Sequence, residues 1–426
     1  MSPAAVASLP PRPRRPVRHE PVAVLDIGTS KVCCAIARPG PSGELEPLGV
    51  GYQLAEGLRA GEIVEVDAVE ASILAVVHEA EQQAGMTLRE VLVGISGARP
   101  RSRTIEVELD LGGRPVVDQD LQQALAHARA EAHEPGTEIL HVLPTGVTLD
   151  DSQPLRDPRG MVGRRLRIRV HVVQVAEGPL AALVHVVERC HLDVGGVLTA
   201  AYAAGLGVLT TDEALLGCLV LDLGAGVTGT ARFGDGRLQD VQSVPLGGRH
   251  ITRDLAFGLG TGSEQAERLK ALFGDVLPRE GNARRLIEVA TLGNPREPSH
   301  QVVTKAHLTD IIRPRVEEIF QLVLARLALD PGSPTVGRLV LTGGGAQLEG
   351  MVELAEEVFG VPARLGRAGG LMGRDSPMDL TAASTAAGLL VWATRDDGGL
   401  CYRASRPAPV FGTRLQRLGQ WLKENF

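Results

Sequence analysis

Aromatic side chains are scarce: seven Phe, three Tyr and two Trp make up 3% of 426 residues. That is too few for the stacked platforms that bind single-stranded nucleic acid, and no nucleic-acid partner is expected. No charge of one sign prevails. Forty-four Lys and Arg stand against 51 Asp and Glu, a net −7, so the surface as a whole is not built for polyanions. The five cysteines (Cys33, Cys34, Cys190, Cys218 and Cys401) include no C-x-x-C pair. Cys33 and Cys34 are too close for an ordinary structural disulfide, so buried thiols in a reducing compartment are expected and no zinc site is implied. No apolar run reaches the roughly 18 residues of a membrane span. Residues 1–21 hold prolines and arginines but no apolar signal-peptide core. Any membrane contact is then peripheral. There is no Walker A sequence. Gly94-Ile95-Ser96-Gly97 falls one residue short of a nucleophile elbow, and the eleven histidines show no paired-ligand spacing.

What is present is an ordinary globular composition, 44% hydrophobic and 22% charged, in a chain long enough for two to four subdomains. Residues 1–20, with Arg12, Arg14, Arg15 and Arg18, read as a solvated tail. Val22-Ala23-Val24-Leu25 is a run typical of a buried strand, and a second strand follows from Val32 to Ala37. Asp67 is expected to cap a helix to Ala84, with Ile73, Val76, Val77 and Ala80 on one face and Gly85 closing it. Residues 98–175 change pattern. Strands over 104–109, 141–149 and 166–173 surround a helical stretch at 120–132, as in a small inserted α/β module.

The opening motif returns later in the chain. Asp26-Ile27-Gly28-Thr29-Ser30-Lys31 sits between two strands, and Asp222-Leu223-Gly224-Ala225-Gly226-Val227-Thr228 sits between two more. The aspartates are 222 − 26 = 196 positions apart, so an internal duplication is expected. Arg338 to Leu341 then runs into Thr342-Gly343-Gly344-Gly345, a strand and a triple-glycine turn. Glycine lets backbone N–H groups approach a phosphate, and a strand-end carboxylate can hold hydrated Mg²⁺ beside it. Two copies plus the third turn make a phosphate clamp the natural reading.

These motifs resemble the actin/Hsp70/sugar-kinase superfamily. Within it the chain from about Pro21 onward resembles the bacterial cell-division actin homologue FtsA. The matching stretches are Val24 to Lys31, His141-Val142-Leu143-Pro144, Val187-Glu188-Arg189-Cys190, Val340 to Gly350, and Leu415 to Phe426. The resemblance implies an α/β fold, a duplicated actin-like ATPase core with an inserted 1C subdomain and a C-terminal amphipathic helix. It implies subdomain 1A at 21–97 and 177–216, 1C at 98–176, 2A at 217–247 and 326–393, and 2B at 248–325. ATP and Mg²⁺ would be the ligands. Asp26 and Asp222 would hold the metal through water. Thr29, Ser30 and Thr228 would bond phosphates, with Gly28, Lys31, Gly224, Gly226, Gly343, Gly344 and Gly345 around them. In 263–273, Ala266-Glu267-Arg268-Leu269-Lys270 matches the family's A-E-x-x-K motif, so Glu267 and Lys270 would reach ribose and adenine; a plain i,i+3 surface pair is the alternative. Two positions depart from the family pattern. Ala225 replaces a glycine, tolerable where φ is negative, and Gly229 replaces an Asp. Residues 198–205 offer no carboxylate or Gln to orient a hydrolytic water, so ATP is expected to act as an assembly ligand, with weak or no hydrolysis and no catalytic residue assigned.

Residues 394–409 read as a polar linker. Beyond them Phe411, Leu415, Leu418 and Leu422 recur at helical spacing, flanked by Trp421 and Phe426, with Gln416, Arg417, Gln420 and Lys423 opposite. Arg414, Arg417 and Lys423 against Glu424 leave this segment at +2. That is the pattern of an in-plane helix on an anionic membrane surface. The resemblance adds a tether on the cytoplasmic face of the inner membrane at the division septum. It would polymerise with itself, bind the C-terminal peptide of FtsZ through 2B, and meet later division proteins through 1C. Arg313-Pro314-Arg315 is read as opening a helix that ends near Leu327, with Arg315 as first choice for the peptide. A small-molecule kinase of the same fold and an actin-like type IV pilus component are the alternatives; the terminal helix speaks against the second.

Overall fold

A computed structural model of the chain describes residues 20–40, 44–155, 157–292, 300–327, 336–368, 381–394 and 400–401. The tail at 1–19, most of the expected linker and the whole expected membrane helix lie outside the described residues. The first half contains β1 (Val22–Ile27), β2 (Lys31–Pro39), β3 (Leu45–Leu54), the short pair β4 (Leu58–Arg59) and β5 (Glu62–Ile63), α1 (Val66–Ala84) and β6 (Glu90–Ile95). The insertion follows as β7 (Arg101–Asp110), α2 (Asp118–Ala132), β8 (Thr137–Leu149) and β9 (Arg165–Ala176). The first half then resumes with α3 (Glu177–Arg189), β10 (Asp193–Thr199) and α4 (Ala200–Val208), and α5 (Thr211–Leu216) crosses to the second. There stand β11 (Cys218–Leu223), β12 (Thr228–Gly234), β13 (Arg237–Val244), α6 (Gly248–Gly258), α7 (Ser263–Phe273), β14 (Leu286–Ala290), β15 (His300–Thr304) and α8 (Lys305–Leu327). The chain closes with β16 (Leu339–Thr342), α9 (Met351–Phe359), β17 (Ala363–Leu365), α10 (Ser384–Thr394) and β18 (Leu400–Cys401).

The two halves share one topology. The first sheet runs β10-β6-β1-β2-β3 and the second β17-β16-β11-β12-β13. In each, an antiparallel three-strand meander is extended by two parallel strands. The registers agree as well: Asp26 faces Cys33 across β1–β2, and Asp222 faces Gly229 across β11–β12. The duplication seen in the sequence is thus a duplication of fold.

Apolar strands buried on both faces require cover on both. α1 and α3 cover the outer face of the first sheet with Val69, Ile73, Val76, Leu183 and Val187. α6, α8 and α9 cover the second with Ile251, Leu255, Ile312, Val316 and Leu354. Between the sheets lie α4 and α10, where Ala203, Ala386 and Ala387 meet Val24 of one sheet and Val220 of the other. Small side chains there let the two helix backbones touch. A Cβ on Gly388 would fall 1.5 Å from the carbonyl oxygen of Ala203.

The insertion is a four-stranded sheet, β18-β8-β9-β7, with α2 on one face. Ile105, Val107 and Leu109 of β7 point inward, while Glu106 and Glu108 alternate outward to pair with Arg167. Three local expectations are corrected. α1 begins after Glu65, which makes no side-chain cap bond; Asp67 lies in the first turn, where its charge still suits the helix dipole and pairs with Arg189. α8 begins at Lys305, not at Arg313, and continues through Pro314 because Leu308, Ile312, Val316, Ile319 and Phe320 are buried on either side of it. Within the expected linker, Leu400–Cys401 pairs antiparallel with His141 and Val142, since the free edge of β8 offers unpaired backbone groups. Among the described residues no helix is long and apolar enough to cross a membrane.

Candidate functional site

Because the strands are equivalent, their ends converge. Asp26 and Asp222 both open into one interior cleft of about 1080 Å³, ample for a ligand of nucleotide size. Gly28, Thr29, Ser30 and Lys31 come to it from the first hairpin, Gly224, Ala225 and Gly226 from the second, and Gly343 to Gly345 from the turn after β16. The hairpin loops match bond for bond: Gly28 N–H donates to the Lys31 carbonyl at 2.9 Å, and Gly224 N–H to the Val227 carbonyl at 3.0 Å.

The second loop is held from behind. Gly248 N–H donates to the Gly224 carbonyl at 3.0 Å, and Arg249 N–H to that of Ala225 at 2.7 Å. In a planar trans peptide the following N–H points opposite to the carbonyl. The amides of Ala225 and Gly226 are therefore turned away from α6, as an anion in the cleft requires. Ala225 is not among the positive-φ residues, so its methyl is accommodated without strain. Gly343 is needed for shape as well as conformation. Its φ is +82°, and a Cβ there would lie 2.5 Å from Asp222 Oδ1.

Burial raises the Asp26 carboxyl to about 6, with the nearby Lys31 charge opposing. Burial, with Asp26 adding repulsion, raises Asp222 to about 7 against the same lysine. Lys31 itself donates to the Ala382 carbonyl, just before α10. Two desolvated carboxyls flanked by glycine turns and opening into one cleft fit a hydrated divalent cation bound chiefly through water and phosphate. Among the described residues no cluster of three or more His, Cys, Asp and Glu forms a dry metal cage.

Glu267 and Lys270 of α7 line the cleft on the side of α6. Lys270 Nζ donates to Glu267 Oε2 at 2.7 Å, to Thr252 Oγ1 at 2.8 Å and to the Gly248 carbonyl at 3.1 Å. Burial pulls the Lys270 ammonium below its usual value, against the Glu267 carboxylate. They are therefore both an i,i+3 pair and cleft-lining residues. Thr29 is nearly buried, and its hydroxyl accepts from Gly61 N–H at 2.9 Å while keeping its own proton to donate. Thr228 is not brought to the site: it is fully buried and its hydroxyl donates to the Leu246 carbonyl at 2.9 Å. Arg315 lies midway along α8 and outside the cleft lining, its guanidinium forked on Asp254 at 2.6 and 3.1 Å and bonded also to Glu318. Sequence reasoning missed Arg249, Thr252 and Arg253 in the lining. The signal for them is the Gly247-Gly248 pair ahead of a helix, which permits close approach to the second loop.

Comparison with known proteins accords with this geometry. Residues 219–388 match the family model described as "Cell division protein FtsA", and residues 97–174 that of the "SHS2 domain inserted in FTSA". The cell division protein FtsA of Rhizobium meliloti (strain 1021) is 38% identical over 422 residues, covering 96% of each chain. That of Escherichia coli (strain K12) is 28% identical over 411 residues, covering 94% of this chain and 97% of the relative. Among solved structures, the PilM–PilN type IV pilus biogenesis complex matches with a TM-score of 0.62 at 18% identity, over 89% of this chain and all of that one. MreB5 of Spiroplasma citri bound to ADP matches with a TM-score of 0.54 at 14% identity, over 87% and 95%. These two likenesses show the actin-like fold. With the duplicated sheets, the inserted module and this identity over nearly its whole length, the chain belongs to the FtsA family of cell division proteins.

Proposed function

We propose that this chain is a nucleotide-loaded tether that polymerises on the inner membrane at the septum, anchors FtsZ filaments there and recruits later division proteins. The observation that carries the nucleotide part is the convergence on one cleft of two equivalent hairpins, each with an aspartate near the end of its first strand. In this reading Asp26 and Asp222 hold hydrated Mg²⁺, whose charge offsets that of the ATP phosphates. The N–H groups of the loops at 28–30, 224–226 and 343–345 receive phosphate oxygens, and Glu267 and Lys270 the ribose and adenine. Thr228, with its hydroxyl engaged elsewhere, is left out of that set. Thr199, Ala200 and Ala201 border the cleft and bring no carboxylate or Gln to it, which favours ATP as an assembly ligand over rapid turnover.

The membrane part rests on the sequence of 410–426, with Phe411, Leu415, Leu418, Trp421, Leu422 and Phe426 on the apolar side. FtsZ peptide binding is assigned to 248–325; Arg315 can serve there only by exchanging its bonds to Asp254 and Glu318. The inserted module is the surface offered to later division proteins. The test is co-sedimentation with anionic vesicles of the full chain, a chain ending at Pro409 and Leu418→Glu, with and without Mg-ATP, with electron microscopy of the pellets. Helix-dependent, ATP-enhanced binding with filaments on lipid is expected. ATP binding with no lipid partition and no polymer would favour the soluble kinase reading instead.

A further inference from the structure

Arg249 is the first-turn residue of α6 and lines the cleft beside the second phosphate loop. Its backbone N–H is committed to the Ala225 carbonyl, which fixes where its side chain starts. From there the guanidinium crosses to the other half of the molecule, where Nη1 donates to the carbonyl of Leu58 at 3.0 Å. Among the described residues this is its one side-chain hydrogen bond, and no carboxylate pairs with it. A guanidinium carries five N–H donors, so four remain in an exposed cation that lines the cleft. Its charge is felt further along the same wall. Burial pushes the Glu267 carboxyl up, but hydrogen bonds from Lys270 and Thr252 and the charges of Lys270 and Arg249 bring it below its ordinary range.

Leu58 belongs to the β4–β5 hairpin, which lies across both loops. Gly61 N–H reaches Thr29 Oγ1 at 2.9 Å. On the other side, a Cβ on Gly226 would come within 2.7 Å of that same oxygen and 3.0 Å of Ala60 Cα. The hairpin tip, the first loop and the second loop are thus in van der Waals contact, and Arg249 is the cation that straddles them. A fork of donors beside a cluster of backbone amides suits a phosphate oxygen.

Building on the nucleotide reading above, we propose that Arg249 is a further ligand for the phosphates of a nucleoside di- or triphosphate, and that in binding them it keeps the β4–β5 hairpin strapped over the phosphate loops. The test compares wild type, Arg249→Ala and Arg249→Lys for binding of ATP, ADP and, by competition, adenosine, together with hydrogen exchange at residues 57–63. A charge-assisted hydrogen bond is worth about 1.5–3 kcal/mol, so Arg249→Ala should weaken ATP and ADP by roughly tenfold to a hundredfold. Adenosine should be unaffected. Arg249→Lys, which keeps the charge but not the fork, should restore part of the loss. ATP should slow exchange at 57–63 in wild type and not in Arg249→Ala. Equal ATP affinity in wild type and Arg249→Ala would overturn the proposal, as would an equal loss for adenosine, which would make Arg249 a support of the cleft alone. A wild-type chain that binds no ATP would instead overturn the nucleotide reading on which it rests.

Discussion

Asp26 and Asp222 face the same cleft, and neither is ionised cheaply there. Their carboxyls are lifted to about 6 and about 7, chiefly by burial. The sign of the consequence follows from proton counting: between pH 4 and 7 the folded chain holds protons that the unfolded chain, with ordinary aspartates near 3.8, has released. Ligand-free stability should therefore fall as pH rises from about 4 through about 7. A divalent cation prefers the ionised pair, so the rise in melting temperature produced by Mg-ATP should be small at pH 5.5 and larger at pH 7.5. Thermal melts of wild type and Asp222→Asn check both statements. The variant should show a flatter ligand-free profile and a reduced Mg²⁺ effect; matching profiles would refute the assignment. The repeated aspartates and glycine loops were legible from spacing; Glu267 and Lys270 were singled out only through the family resemblance, since by spacing alone they are an ordinary i,i+3 pair. Thr228 was not, since its hydroxyl turns to the Leu246 carbonyl. Nor was Arg249, which comes near the first half only once the chain has folded.

Among single elements, α5 shows how one side chain serves two purposes. Glu213 accepts from Thr210 N–H at 3.0 Å while its own N–H donates to Thr210 Oγ1 at 3.3 Å, a reciprocal cap for a helix of six residues. The same carboxylate takes Arg364 Nε of β17 at 2.6 Å. The arginine bonds, outweighing burial, hold Glu213 down to about 2. Its contribution is therefore complete above about pH 4.5 and is lost as pH falls towards 2. Glu213→Gln should cost about 2 kcal/mol at neutral pH, with the gap to wild type closing under acid; denaturant titrations at pH 7 and pH 3 measure it. Long periodic segments were readable: α1, α2 and the strands β1, β2, β7, β8, β9 and β16 stand close to their expected limits. Helix starts were less so. At α8, packing of the stripe on both sides of Pro314 overrides the local signal of a break, a tertiary effect that local sequence does not display.

Across the whole molecule, the two halves meet along α4 and α10, where the Gly388 backbone lies against Ala203. Gly388→Ala should be among the most damaging single-methyl changes available, costing about 3 kcal/mol by forcing the helices apart. It should also weaken nucleotide binding, although residue 388 does not line the cleft. Paired unfolding and ATP-binding measurements check this; a variant of unchanged stability would mean that the helices separate easily. Backbones in direct contact leave no side-chain layer between them that could repack, so the separation of the two halves is set there as by a spacer. The inserted module is tied across as well: Ser102 Oγ donates to Asp240 Oδ1 at 2.7 Å and accepts from Val241 N–H at 2.9 Å.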